Sequence, residues 1–144
     1  MHDLADTLTT AVDNVRTRFQ GLSEQEAGTP LRNGGWSRKQ VIGHLIDSAS
    51  NNHQRFVRLL LEPQVSLPGY EQAGWVASQR YQDRSWPELL ELWAAYNRHL
   101  AHLISCVPSA VLSHTCRVGA ADAVTLEFLM RDYVRHLQHH LTSL

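Results

Sequence analysis

The chain carries nine histidines in 144 residues, and their positions separate them into two kinds. His136 and His140 stand four residues apart in a stretch where Leu126, Leu129, Met130, Tyr133, Leu137 and Leu144 recur at helical spacing. Projected at about 100° per residue, the two imidazoles fall about 40° apart on the edge of the apolar face. They lie one turn apart, where two rings can reach one ion. His139 falls on the opposite arc with Arg131, Asp132, Arg135, Thr142 and Ser143. A third histidine, His44, stands where a polar arc meets the apolar arc of Val41, Leu45, Ala49, Phe56 and Leu59. Ser48, Asn52 and Arg55 continue the same edge at steps of about one turn. A polar line on a core-facing edge costs free energy unless it meets water, a partner or a ligand. Three neutral imidazoles suit a borderline divalent ion such as Zn²⁺ or Ni²⁺, and three protein ligands leave a position open for water or substrate.

His44, His136 and His140 are therefore the expected metal ligands. The plainer alternative is a helical pair without an ion, beside a core histidine satisfied by hydrogen bonds. His2, His53, His99, His102 and His114 carry no comparable pattern and read as surface or rim residues.

The elements that must position these residues are four amphipathic helices. The first runs from about Asp3 to Gly21, through Leu4, Leu8, Ala11, Val15 and Phe19. Gly28, Pro30, Gly34 and Gly35 break the chain after it. Ser37 is an N-cap for the second helix, which reaches Leu61 before Pro63. The third starts at Ser85 with Pro87 in its first turn and Glu88 at the capping-box position, and runs to about Cys106 ahead of Pro108. The fourth runs from about Thr125 to the C-terminal end. The longest irregular stretch is Glu62 to Ser85, with Pro63, Pro68, Gly69, Tyr70 and Trp75; loops of that length are usually functional. Val111 to Val124 has room for a small extended piece, but no strand pair is evident. The expected fold is all-α, one domain over residues 1–144, a four-helix bundle with long connections between helices 1 and 2 and helices 2 and 3.

Composition narrows the function classes. The chain is 43% hydrophobic and 19% charged with a net charge of −1, which suits a globular protein and gives no basic footprint for nucleic acid. Cys106 and Cys116 match neither a zinc pattern nor a disulfide scaffold. Asp3, Asp6, Asp13, Arg16 and Arg18 are out of place in a signal peptide, and no apolar run is long enough to span a bilayer. The expected compartment is the cytoplasm.

These segments resemble a known family. Gly35-Trp36-Ser37, then His44-Leu45-Ile46-Asp47-Ser48, Asn51 and Arg55-Phe56, resemble the second-helix signature of the DinB/YfiT-like metal-binding proteins. Pro68-Gly69-Tyr70-Glu71 followed by Trp75 is similar to a loop of that branch, and Tyr133 to His140 is similar to its C-terminal histidine helix. The resemblance covers Trp36 to the C-terminal end. It implies a bundle with parallel second and third helices, a metal site on His44, His136 and His140, and a homodimer. It further implies a metal-dependent S-transferase that joins a low-molecular-weight thiol, such as bacillithiol or mycothiol, to an electrophile. The short last helix and the short connection before it depart from the family pattern and bear on the pocket and the dimer contacts.

On that reading the ion favours the thiolate, the competent nucleophile. Arg55 is expected to hold an anionic group, Asn51 and Asn52 to assist by hydrogen bonds, and Ser48 to lie on the same edge. Asp47 reads either as a partner that orients a ligand imidazole or as a surface carboxylate. Tyr70 and Trp75 read either as a lid or as loop anchors. Two other classes stay open: a metal-dependent hydrolase on the same site, and a non-catalytic helical interaction or stress-response module.

Overall fold

The computed structural model describes residues 1–32 and 35–144; Gly34, one of the expected breakers, lies outside them. Its elements run α1 His2–Phe19, α2 Glu24–Gly28, α3 Arg38–Leu61, β1 Gln64–Leu67, α4 Gln72–Gln79, α5 Trp86–Ser105, β2 Thr115–Val118, β3 Val124–Thr125 and α6 Leu126–Leu141. Short 3₁₀ turns precede α5 and β2. The long helices α1, α3, α5 and α6 are the four expected from periodicity. Among the described residues, no helix is long and apolar enough to cross a membrane.

Each long helix buries the stripe its sequence predicts. Helix α1 turns Leu8, Val12, Val15 and Phe19 inward against α5, with Asp3 in its first turn and Arg16 and Arg18 in its last, as the helix dipole favours. Helix α3 contributes Ile42, Leu45, Ala49, Phe56 and Leu59, all at most 1% exposed. Burying a side chain of that size is worth about 1.5–3 kcal/mol. Leu100 and Ile104 of α5 and Leu126, Met130 and Leu137 of α6 close the same core. A buried polar cluster pins α6 to α5: Tyr133 donates its hydroxyl to Asn97 Oδ1 at 2.5 Å, and Asn97 Nδ2 donates to the Trp93 carbonyl at 2.9 Å.

Helix α3, which carries His44, starts firmly. Ser37 accepts from the Gln40 amide while the Gln40 side chain accepts from the Ser37 amide, a reciprocal capping box. At α5 the expectation needs correction. Ser85 is the N-cap and Pro87 sits in the first turn, but the Ser85 side chain makes no cap hydrogen bond. Glu24 takes the free Trp86 amide at 2.9 Å instead, and Glu88 pairs with Arg84.

The connections also differ from expectation. Strands β1 and β2 pair in parallel, with Gln64 opposite Thr115 and Leu67 opposite Val118, and β3 pairs antiparallel to β2. The stretch Glu62 to Ser85 is thus a strand and a helix rather than an irregular loop. Glu71 caps α4 by accepting from the Ala73 and Gly74 amides. His114 Nδ1 lies 2.6 Å from the Leu59 carbonyl and ties the start of β2 to the end of α3. Strands β1 and β2 pack against α3, and β3 packs against α6.

Candidate metal centre

Helices α3 and α6 pack side by side, and the contact brings the three expected histidines together. His44 Nε2 lies 3.4 Å from His136 Nε2, which lies 3.1 Å from His140 Nε2. One ligand atom from each falls within 4.8 Å of the other two. The ring planes are inclined to one another by 64–75°, so the rings meet edge-on rather than stacking. His44 is fully buried and the other two are half-buried. The indole of Trp36 covers His44 with ring centroids 5.4 Å apart. His139 is exposed, on the polar arc where helical projection puts it.

The donor set fits a cation better than it fits itself. A ring nitrogen has one in-plane lone pair or one N–H, yet His136 Nε2 faces two other imidazole nitrogens. One atom does not serve both contacts as a hydrogen bond. Zn²⁺ with tetrahedral bonds of about 2.0–2.1 Å sets neighbouring nitrogens about 3.3 Å apart, close to the two spacings seen. The rings are also in the right protonation state. Burial, and then the nearby His140 and His136, bring the His44 pKa down to about 4. Burial lowers His136, against the opposing charge of Asp132, and burial followed by His136 and His139 lowers His140.

Asp47 makes no hydrogen bond to a ligand imidazole among the described residues. It is 2% exposed, not a surface carboxylate, and its Oδ1 accepts from Tyr81 Oη at 2.7 Å and from Gln79 Nε2 at 2.5 Å. Burial raises its pKa against these two hydrogen bonds. Tyr81 reaches it because residue 43 is glycine: a Cβ there would lie 2.1 Å from the Tyr81 ring. The buried His44 Nδ1 has no hydrogen-bond partner among the described residues.

Two cavities flank the trio. One, of about 280 Å³, is lined by Ser48, Asn52, Arg55, Tyr70, Asp132 and His136, among others. The other, of about 410 Å³, lies on the far side, against Trp36, Val41, His139 and His140. Ser48, Asn52 and Arg55 thus share a cavity with one expected ligand. Asn51 is not on its wall; its side chain turns back to the Asp47 carbonyl at 2.9 Å. Tyr70 is on the wall, and Trp75 packs behind it with ring centroids 4.9 Å apart. Sequence reading missed Trp36 as the cover of His44, Asp132 as a wall residue and the Tyr81–Gln79 cradle of Asp47. Only Asp132 had a usable signal, lying one turn before His136.

A histidine trio shared by two helices of such a bundle marks a class of helical metal-site proteins, and sequence comparison places the chain within it. Residues 7–144 match the model of the DinB superfamily. The chain is 28% identical over 133 residues to a protein of Geobacillus thermodenitrificans named "Putative metal-dependent hydrolase", covering 92% of this chain and 75% of that one. It is 30% identical over 132 residues to "Putative metal-dependent hydrolase GK0616" of Geobacillus kaustophilus, with 88% and 72% covered. "Putative metal-dependent hydrolase YfiT" of Bacillus subtilis is 27% identical over 132 residues, with 90% and 74% covered. The solved structure of Bacillus subtilis YfiT, described as having "an unusual four-helix bundle topology", superposes with a TM-score of 0.88 at 22% identity, over 98% of this chain and 81% of that one. The chain belongs to the DinB superfamily and has the YfiT fold.

Proposed function

We propose that this protein is a metal-dependent thiol S-transferase that joins a low-molecular-weight thiol to an electrophile at His44, His136 and His140. The observation that carries the reading is the convergence of three buried or half-buried imidazole nitrogens beside a polar cavity. A divalent ion such as Zn²⁺ or Ni²⁺ on these ligands supplies the Lewis acidity that lets a thiol ionise near neutral pH. The protein's part is to hold neutral imidazoles ready, to orient the two reactants and to limit water. Ser48, Asn52 and Arg55 line the cavity as hydrogen-bond and charge partners. Burial, and then the charge of Asp47, hold the Tyr70 phenol above its ordinary pKa, so it stays a proton donor. Backed by Trp75, it forms part of the cavity wall.

The thiolate sulfur forms a bond to the electrophilic carbon as the bond to the leaving group breaks and its electron pair departs with that group. With an epoxide, the ring oxygen keeps the electron pair and takes up the proton the thiol lost. A homodimer belongs to the same proposal and rests on the family resemblance.

A second reading, a metal-dependent hydrolase, is favoured by the names of the relatives. Hydrolysis profits from a carboxylate general base beside the water. Among the described residues, the one carboxylate on the Arg55 cavity is Asp132, which Arg135 engages. A thiol ionises far more readily than water and has less need of a base, which favours transfer.

The test is to load the protein with Zn²⁺ or Ni²⁺ and follow conjugation of bacillithiol, mycothiol, glutathione or coenzyme A to a chromogenic electrophile. Turnover that needs protein, metal and thiol together supports the transferase. Ester or amide cleavage without thiol supports the hydrolase. Neither activity across the panel contradicts both and leaves a non-catalytic module.

A further inference from the structure

The cavity beside His136 holds a charge without a counter-ion. Arg55 is half-buried on its wall, and its one hydrogen bond among the described residues runs from Nη1 to Asn52 Oδ1 at 3.2 Å. Asn52 is itself fixed, donating from Nδ2 to the Ser48 carbonyl at 2.9 Å. It is 9% exposed and acts as a strut that holds the guanidinium in place. The other charged side chain on the wall, Asp132, is engaged by the exposed Arg135 from outside the lining rather than by Arg55. Among the other lining residues, Tyr70 and Gln72 are neutral donors and acceptors, and Val118 and Leu129 are apolar.

A partly desolvated guanidinium with most of its donors free is costly unless an anion completes it. Its planar fork matches a carboxylate. Arg55 stands seven positions beyond Ser48 on α3, about 10 Å at the helical rise, and further still from His44, so the anion lies several atoms from the trio.

We propose that Arg55, braced by Asn52, binds the carboxylate of a small organic acid whose aliphatic or thiol-bearing end extends toward His136. The acid is then one of the two reactants, the thiol or the electrophile. This assignment rests on the cavity being the substrate site of the transferase reading, and it makes Arg55 a specificity-determining residue rather than a metal ligand.

The experiment uses the metal-free full chain, titrated by NMR with hexanoate and with hexanamide, which differ in charge and little in shape. A charge-assisted hydrogen bond to Arg55 gives hexanoate a preference of about tenfold or more. Arg55→Gln is expected to abolish the preference and Arg55→Lys, which keeps the charge without the fork, to retain part of it. Equal binding of the two probes by the unaltered protein overturns the proposal, and that comparison holds even where a variant fails to fold. An undiminished hexanoate preference in folded Arg55→Gln overturns it as well. A parallel Zn²⁺ titration of the unaltered protein and Arg55→Gln reads the metal site alone. Loss of zinc binding in both sinks the metal reading, while the probe comparison, made without metal, still decides the role of Arg55.

Discussion

His44 Nε2 and His136 Nε2 lie 3.4 Å apart although 92 residues separate them in the chain. That contact joins α3 to α6 and turns an i, i+4 histidine pair, common on helices, into a three-nitrogen site. Replacing His44, His136 or His140 by Ala is expected to lower zinc affinity at least tenfold each, because two ligands remain. His139→Ala, on the exposed face, is expected to leave it unchanged. Zinc titration against a chromogenic chelator reads both. Equal losses for His139→Ala and His140→Ala would refute the ligand assignment.

The same histidines set a pH dependence in the metal-free protein. Burial first, then His140 and His136, hold the His44 pKa at about 4 against an ordinary value of 6.5. Between those values the unfolded chain binds the proton and the folded chain does not, so stability rises with pH. Read downward, the contribution is present above pH 6.5 and is lost as pH falls toward 4. Urea unfolding from pH 7.5 to 4.5 is expected to show a falling midpoint, and His44→Gln to flatten the slope. A midpoint that climbs on acidification contradicts the buried neutral state of His44.

Gly43 and Tyr81 make a separate test of the scaffold beneath the site. A methyl at residue 43 would lie 2.1 Å from the Tyr81 ring, so Gly43→Ala is expected to destabilise by about 1–3 kcal/mol, the usual cost of overpacking. Tyr81→Phe keeps the packing but removes a hydrogen bond to buried Asp47, at a cost of about 1–3 kcal/mol. Denaturant unfolding measures each. A neutral Gly43→Ala would mean that Tyr81 does not lie on α3 as described.

Much of this arrangement was legible in the sequence. Four apolar stripes gave the four long helices, and the projection that put His136 and His140 at the apolar edge and His139 outside it matches their burial. What was missed depends on partners far away in the chain. The β1–β2 pair consists of two four-residue strands joined across α4 and α5, too short for an alternating pattern to register and with no hairpin turn between them. Glu24 caps α5 from the far side of α3, so local capping rules pointed to Glu88. Asp47 looked solvated on its own helix and is buried because Gly43 lets Tyr81 settle over it. Asn51 shares the polar edge in projection, yet its amide finds the Asp47 carbonyl within the helix and leaves the cavity to Asn52 and Arg55.

Metal content is the most direct test of the three-histidine centre. Elemental analysis by inductively coupled plasma mass spectrometry, on tag-free protein incubated with excess Zn²⁺ or Ni²⁺ and desalted, is predicted to find about one ion per chain, as one three-histidine site requires. The same treatment of the His44→Ala protein is predicted to find far less. Unaltered protein that emerges from the column without metal would contradict the centre and, with it, every reaction assigned to it.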